Sequence, residues 1–180
     1  TKTEKLEDDS NLAETYNNLG VAYDSQGSYD KAIECYNKSL EIKLKKLGEE
    51  HPDTALTYAN LGTTYDHKGL FEDAIKYNNK ALNIRLKKYG PAHPLIAICY
   101  NNLGSVYQKM GIYEKAVEFL TKSLDILRTK YGDEHLGIAL TYNNIGATYD
   151  DKGLYDEAID YYNKSLTIRL KKLGEEHPEV

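Results

Sequence analysis

Cysteine is nearly absent from this chain, and its scarcity excludes a good deal. Cys35 and Cys99 form no disulfide framework and no metal-ligating spacing. Two isolated reduced thiols fit a cytoplasmic protein. Long apolar runs are missing too, so neither a membrane span nor a secretory leader is predicted. Basic charge is in deficit, with 23 Lys and Arg against 28 Asp and Glu. A net charge of −5 is the opposite of what a general nucleic-acid binder shows. No glycine-rich phosphate loop ending in Gly-Lys-Ser/Thr occurs, and no serine, histidine and acid grouping stands out. Catalysis therefore has no candidate residues, and no cofactor or metal is expected. The sequons Asn37-Lys-Ser39 and Asn163-Lys-Ser165 fall inside predicted helices of a chain without a leader, which argues against their use.

What the chain does have is repetition. Leu47-Gly-Glu-Glu-His51 returns as Tyr89-Gly-Pro-Ala-His93, Tyr131-Gly-Asp-Glu-His135 and Leu173-Gly-Glu-Glu-His177, an interval of 42 residues. Four copies of one supersecondary unit predict a quasi-one-dimensional array in which each unit packs on its neighbours. The boundaries fall at 10–51, 52–93, 94–135 and 136–177, and Pro178-Glu179-Val180 restarts the pattern.

Each copy reads as two helices. Ala13, Tyr16, Leu19, Gly20 and Tyr23 recur at about 100° per residue and mark a first, A helix. Gly27, Gly69, Gly111 and Gly153 end the A helices, where glycine accepts a left-handed conformation. The B helix carries Tyr29, Ala32, Ile33, Tyr36, Leu40, Leu44 and Leu47 on its apolar stripe. Asp30, Glu72, Glu114 and Asp156 suit its positive amino end, and Lys45, Lys46, Lys87, Lys88, Lys130, Lys171 and Lys172 its carbonyl end. Gly48, Gly90, Gly132 and Gly174 stop it, and His51-Pro52 or His93-Pro94 opens the next A helix, proline being favoured at a first helical position. The recurring histidines are too far apart to share a zinc ion, since stacked helices stand about 10 Å apart and zinc binds nitrogen at about 2 Å. Helix initiation is their expected task, and His67 is expected to be solvated and alone.

The order Tyr16, Leu19-Gly20, Tyr23, Gly27, Tyr29, Ala32, Tyr36 resembles the tetratricopeptide repeat, and the period with its Leu-Gly-x-x-His-Pro linker is similar to the kinesin light chain variety. The resemblance implies an all-α fold, a right-handed α-solenoid of four helix-turn-helix repeats with eight antiparallel helices. It also implies a non-enzymatic protein-interaction scaffold whose A helices line a concave groove. Asn78 and Leu120 replace Tyr36 and Tyr162, with Tyr77 and Phe119 one residue earlier, which suggests a local rotation of those B helices. Leu127-Arg128 likewise reverses Lys43-Leu44.

Opposite the buried stripe of the A helices stand repeating rows. One is Asn17, Ala59, Asn101 and Asn143, and the next is Asn18, Asn60, Asn102 and Asn144. Beside them run Val21, Thr63, Ser105 and Ala147, then Asp24, Asp66, Gln108 and Asp150. Asparagine can both donate to and accept from a peptide backbone, so these rows are candidates for holding a partner segment. The alternative is bonding between repeats. Leu56, Ile98 and Leu140 are read first as inter-repeat packing, because the first copy has Glu14 there, and second as groove pockets. Lys109 is the one cation of these rows, which argues against a carboxylate clamp and for a neutral or basic protein or peptide segment. A structural or regulatory array, or an engineered scaffold, that associates through uncapped ends is the rival reading. Leu166 and Ile168 are the apolar positions expected to be exposed there.

Overall fold

The computed structural model describes the backbone of residues 2–173 and the side chains of residues 9–172. Gly174, His177 and the restart at 178–180 lie outside the described residues. Eight helices follow one another, with no strand among the described residues: α1 Lys2–Ser25, α2 Tyr29–Leu47, α3 Pro52–His67, α4 Phe71–Tyr89, α5 Pro94–Lys109, α6 Tyr113–Tyr131, α7 Leu136–Asp151 and α8 Tyr155–Leu173. They pack as consecutive pairs in two compact units, Thr1–Lys88 and Tyr89–Val180. Within each unit the second A helix also packs against the preceding pair, α3 against α2 and α1, and α7 against α6 and α5.

Helix ends follow the sequence closely. Gly27, Gly69, Gly111 and Gly153 lie at φ between 73° and 81°. After α1, the Gly27 amide donates to the Asp24 carbonyl and the Ser28 amide to that of Tyr23, the closing pattern that a left-handed glycine permits. At the other boundary His51, His93 and His135 cap α3, α5 and α7. Their Nδ1 atoms accept from the amides of Asp53, Leu95 and Gly137 at 3.1, 3.2 and 3.1 Å. Stacking holds two of these rings in place, His93 on Tyr89 and His135 on Tyr131, at centroid separations of 4.5 and 4.2 Å. The first helix runs from Lys2, earlier than the repeat boundary at residue 10.

Within each pair a glycine sets the approach of the two helices. A Cβ on Gly20 would collide with the Tyr36 ring, on Gly62 with Asn78, on Gly104 with Leu120 and on Gly146 with Tyr162. These four partners occupy the same position in their copies, so the expected rotation of the second and third B helices does not occur. Asn78 fits the buried site because its amide donates to the Ala74 carbonyl of its own helix at 2.9 Å. The aromatic one residue earlier has a separate place. Tyr65 stacks on Tyr77, Tyr107 on Phe119 and Tyr149 on Tyr161, at 5.3 to 5.5 Å, and the first copy has buried Cys35 there.

The carboxyl-terminal part of the B stripe departs from expectation. Leu44 and Leu47 are exposed, and the buried residue is Lys43. Leu127 is buried at the equivalent position of the third copy, so the reversed Leu127-Arg128 pair keeps the register and changes only what fills it. Leu166 is exposed but Ile168 is buried, packing into the core of Leu120, Leu124, Leu127, Ile138 and Ile145.

Candidate functional site

Paired A helices bring the asparagine rows together in a specific way. In the first unit Asn60 Nδ2 donates to Asn17 Oδ1 at 3.1 Å, and in the second Asn144 Nδ2 donates to Asn101 Oδ1 at the same distance. Each bond spans one period plus one residue and joins the two rows across neighbouring helices. Asn17 is thereby buried, although helical arithmetic puts it opposite the apolar face. Asn18 and Asn143 are exposed and stand outside such a pair, while Asn102 is half-buried. A pair uses one donor and one acceptor, which leaves each amide further hydrogen-bonding capacity.

The flanking rows are partly occupied. Asp24 accepts from His67, whose Nδ1 lies 3.1 Å from the carboxylate, and the His67 ring also meets Tyr29 at 5.9 Å. His67 is therefore exposed, as expected, but it is not alone and joins neighbouring repeats. Gln108 Nε2 donates to Asp151 at 2.9 Å. Thr63 Oγ1 bonds back to the Ala59 carbonyl of its own helix at 3.2 Å. Val21, Lys109 and Asp150 are exposed, and Asp66, Ser105 and Ala147 half-buried.

Leu56, Ile98 and Leu140 are not packed between repeats. They are 44, 49 and 47% exposed and present apolar side chains on α3, α5 and α7. In the first unit Leu56, Glu14, Asn17 and Asn18 border a cavity of about 350 Å³. Lys43 forms part of its wall. Its Nζ donates to Thr57 Oγ1 at 2.9 Å and to the Asp53 carbonyl at 3.3 Å, and burial lowers its pKa against the pull of Asp53 and Glu14. Sequence reasoning missed this lysine, and the available signal was the Lys43-Leu44 order reversed in Leu127-Arg128.

Among the described residues no cluster of histidine, cysteine and acid side chains could hold a metal ion. Among them, no helix is long and apolar enough to cross a membrane. The helix pairs and their glycine contacts define a helical-repeat protein. The family model described as Tetratricopeptide repeat matches residues 11–87, 67–129 and 95–171, and the chain belongs to that family, whose repeats generally mediate protein–protein interaction. Solved structures agree. BtubC (BKLC) from P. vanneervenii is 27% identical with a TM-score of 0.80, covering 93% of this chain, which spans 66% of that protein. A putative kinesin light chain from Podosopora anserina with nearly identical TPR-like repeats is 25% identical at a TM-score of 0.77, over 94% of this chain and 80% of its own. A Rap protein complexed with Competence and Sporulation Factor shares the fold, at 24% identity and a TM-score of 0.76 over 89% and 43% of the two chains. No curated protein matches the sequence.

Proposed function

We propose that the chain is a non-enzymatic interaction module that holds an extended or helical segment of a protein partner against its A helices. The observation that carries this reading is the exposed Leu56, beside the Asn17–Asn60 pair at the cavity of the first unit. An apolar anchor next to the exposed Asn18 and half-buried Asn60 amides suits capture of a segment through one bulky side chain and its backbone. Asn18, Val21 and Thr63 extend the candidate surface within the first unit, and Asn102, Ser105, Lys109, Asn143, Ala147 and Asp150 are the corresponding candidates of the second.

The rim favours a neutral or basic segment. Glu14 and Asp53 are exposed there, whereas Lys43 is buried and bonded to Thr57, and Lys46 is half-buried and paired with Asp9. Fluorescence anisotropy with a library of neutral, basic and acidic peptides tests the proposal. Peptides with a bulky apolar residue and no net negative charge bind the native chain, and Leu56→Asp weakens them roughly 30-fold or more, the scale of a lost anchor. Asn60→Ala weakens binding less. Equal affinities for the native chain and Leu56→Asp would remove this surface from the function.

A further inference from the structure

Lys43 differs in kind from its equivalents in the other copies. Lys43, Arg85, Leu127 and Arg169 follow one another at the 42-residue interval. A guanidinium stays protonated and leucine carries no nitrogen, so Lys43 is the one member of this row that can become a neutral nucleophile. Among the described residues it is also the one buried lysine, at 9% exposure. Its Nζ donates to Thr57 Oγ1 and to the Asp53 carbonyl. An ammonium has three donors, and these two bonds leave a third.

Lys43 stands at the wall of the first unit's cavity, whose volume of about 350 Å³ suits a small molecule. Ala13, Ile42, Leu47 and Leu56 give that cavity an apolar side. Glu14 and Asp53 are exposed at its rim, and both lie near enough to act on the charge of Lys43. Lys46, the other lysine of the lining, is paired with Asp9 at 3.2 Å. An anionic ligand is therefore repelled by two carboxylates, whereas an uncharged one with an apolar tail is not. Burial favours the neutral amine, and Asp53 and Glu14 oppose that only in part.

We infer that the cavity captures small, uncharged aldehydes with an apolar tail as an imine on Lys43. The amine, once it has given a proton to solvent, forms a bond from its nitrogen to the aldehyde carbon, and the carbonyl oxygen takes up a proton. The C–O bond of this carbinolamine then breaks as the nitrogen pair forms the C=N bond, and water leaves. Overall, ammonium and aldehyde become a protonated imine and one water. Two of the three N–H protons depart with the oxygen, and nothing is oxidised or reduced. The remaining N–H keeps the Thr57 hydroxyl as its acceptor, and Glu14 and Asp53 favour the positive charge that is retained. Capture needs no bound peptide, so it stands or falls apart from the proposed interaction. Where both hold, the aldehyde's tail occupies the space beside Leu56 and competes with the partner's anchor.

Reductive trapping on the whole chain tests this. Hexanal and, as an anionic comparison, glyoxylate are each incubated with the native chain at neutral pH, and imines are fixed with cyanoborohydride before peptide mapping by mass spectrometry. Hexanal labels Lys43 roughly tenfold faster than the exposed Lys38 and Lys76, and glyoxylate shows no preference for it. In urea the preference disappears, because the cavity is lost and Lys43 reacts like its neighbours. Lys43→Arg keeps the charge, introduces the residue that the second and fourth copies carry, and removes the fast label while the far-UV circular dichroism spectrum stays native. Labelling of Lys43 no faster than Lys38 in the native chain would overturn the inference. So would an equal preference for glyoxylate, or a preference that survives in urea.

Discussion

Tyr36 shows how much one position in this repeat carries. Its ring faces Gly20, where α1 and α2 approach each other, and the side chain is buried. Burial, reinforced by the charge of Asp24, pushes its pKa up from 10.0 to about 12. The folded state therefore holds the phenol proton more tightly than the unfolded chain does. That contribution is complete below pH 10 and is lost as pH rises toward about 12. Urea titrations at pH 9 and pH 11 should show the native chain losing about 1 kcal/mol more than Tyr36→Phe over that interval. Parallel losses in both proteins would show that the phenol ionises alike in both states. That Gly20 and Tyr36 lie on the apolar stripes of their helices was legible in the sequence, since both positions recur every 42 residues. That Asn78 and Leu120 occupy the tyrosine's place without rotating their helices was not. It depends on a local bond from Asn78 to its own helix and on the space beside Gly104.

At the scale of the helix, starts and stops are written into short local signals. The histidine before α7 accepts from the Gly137 amide and stacks on Tyr131, satisfying one of the donors that an α-helix leaves open at its beginning. His135→Ala should lower stability by about 1 kcal/mol, and His135→Asn should recover most of it, because asparagine offers an oxygen to the same amide. Thermal unfolding of the three proteins checks this, and equal midpoints would reduce the histidine to a spacer. The B helices were harder to read toward their carboxyl ends. Periodicity assigned Leu44 and Leu47 to the buried stripe, whereas Lys43 is the residue enclosed, held by Thr57 and the Asp53 carbonyl. A long side chain can bury its stem while its charged end finds a partner on another helix, and that partner is absent from the local pattern.

Across the whole molecule, lysines and acids join successive repeats within each unit. Lys68 meets Asp30 at 2.5 Å, Lys152 meets Glu114 at 2.8 Å, and Lys80 meets Glu49 at 3.5 Å, with Lys87–Glu50 and Lys171–Glu134 repeating the theme. Lys152 holds the Glu114 carboxyl below its usual range, and Lys171 does the same for Glu134. Nearly all these groups face solvent, where such pairs contribute little and are screened by salt. Raising sodium chloride from about 0.05 to 0.5 M should therefore move the thermal midpoint by less than about 5 °C, and a much larger fall would give these pairs a principal role in stability. Stability rests instead on the glycine-spaced helix pairs and the aliphatic cores between them. By itself the sequence determined the period, the eight helices, their glycine ends and their histidine starts, because each depends on residues a few positions apart. Tertiary structure alone decided which polar rows remain open. Asn17 is closed off by Asn60, forty-three residues away, while Leu56 stays accessible. Helical periodicity orients a side chain about its own axis, but only the neighbouring helix determines whether that direction ends in protein or in water.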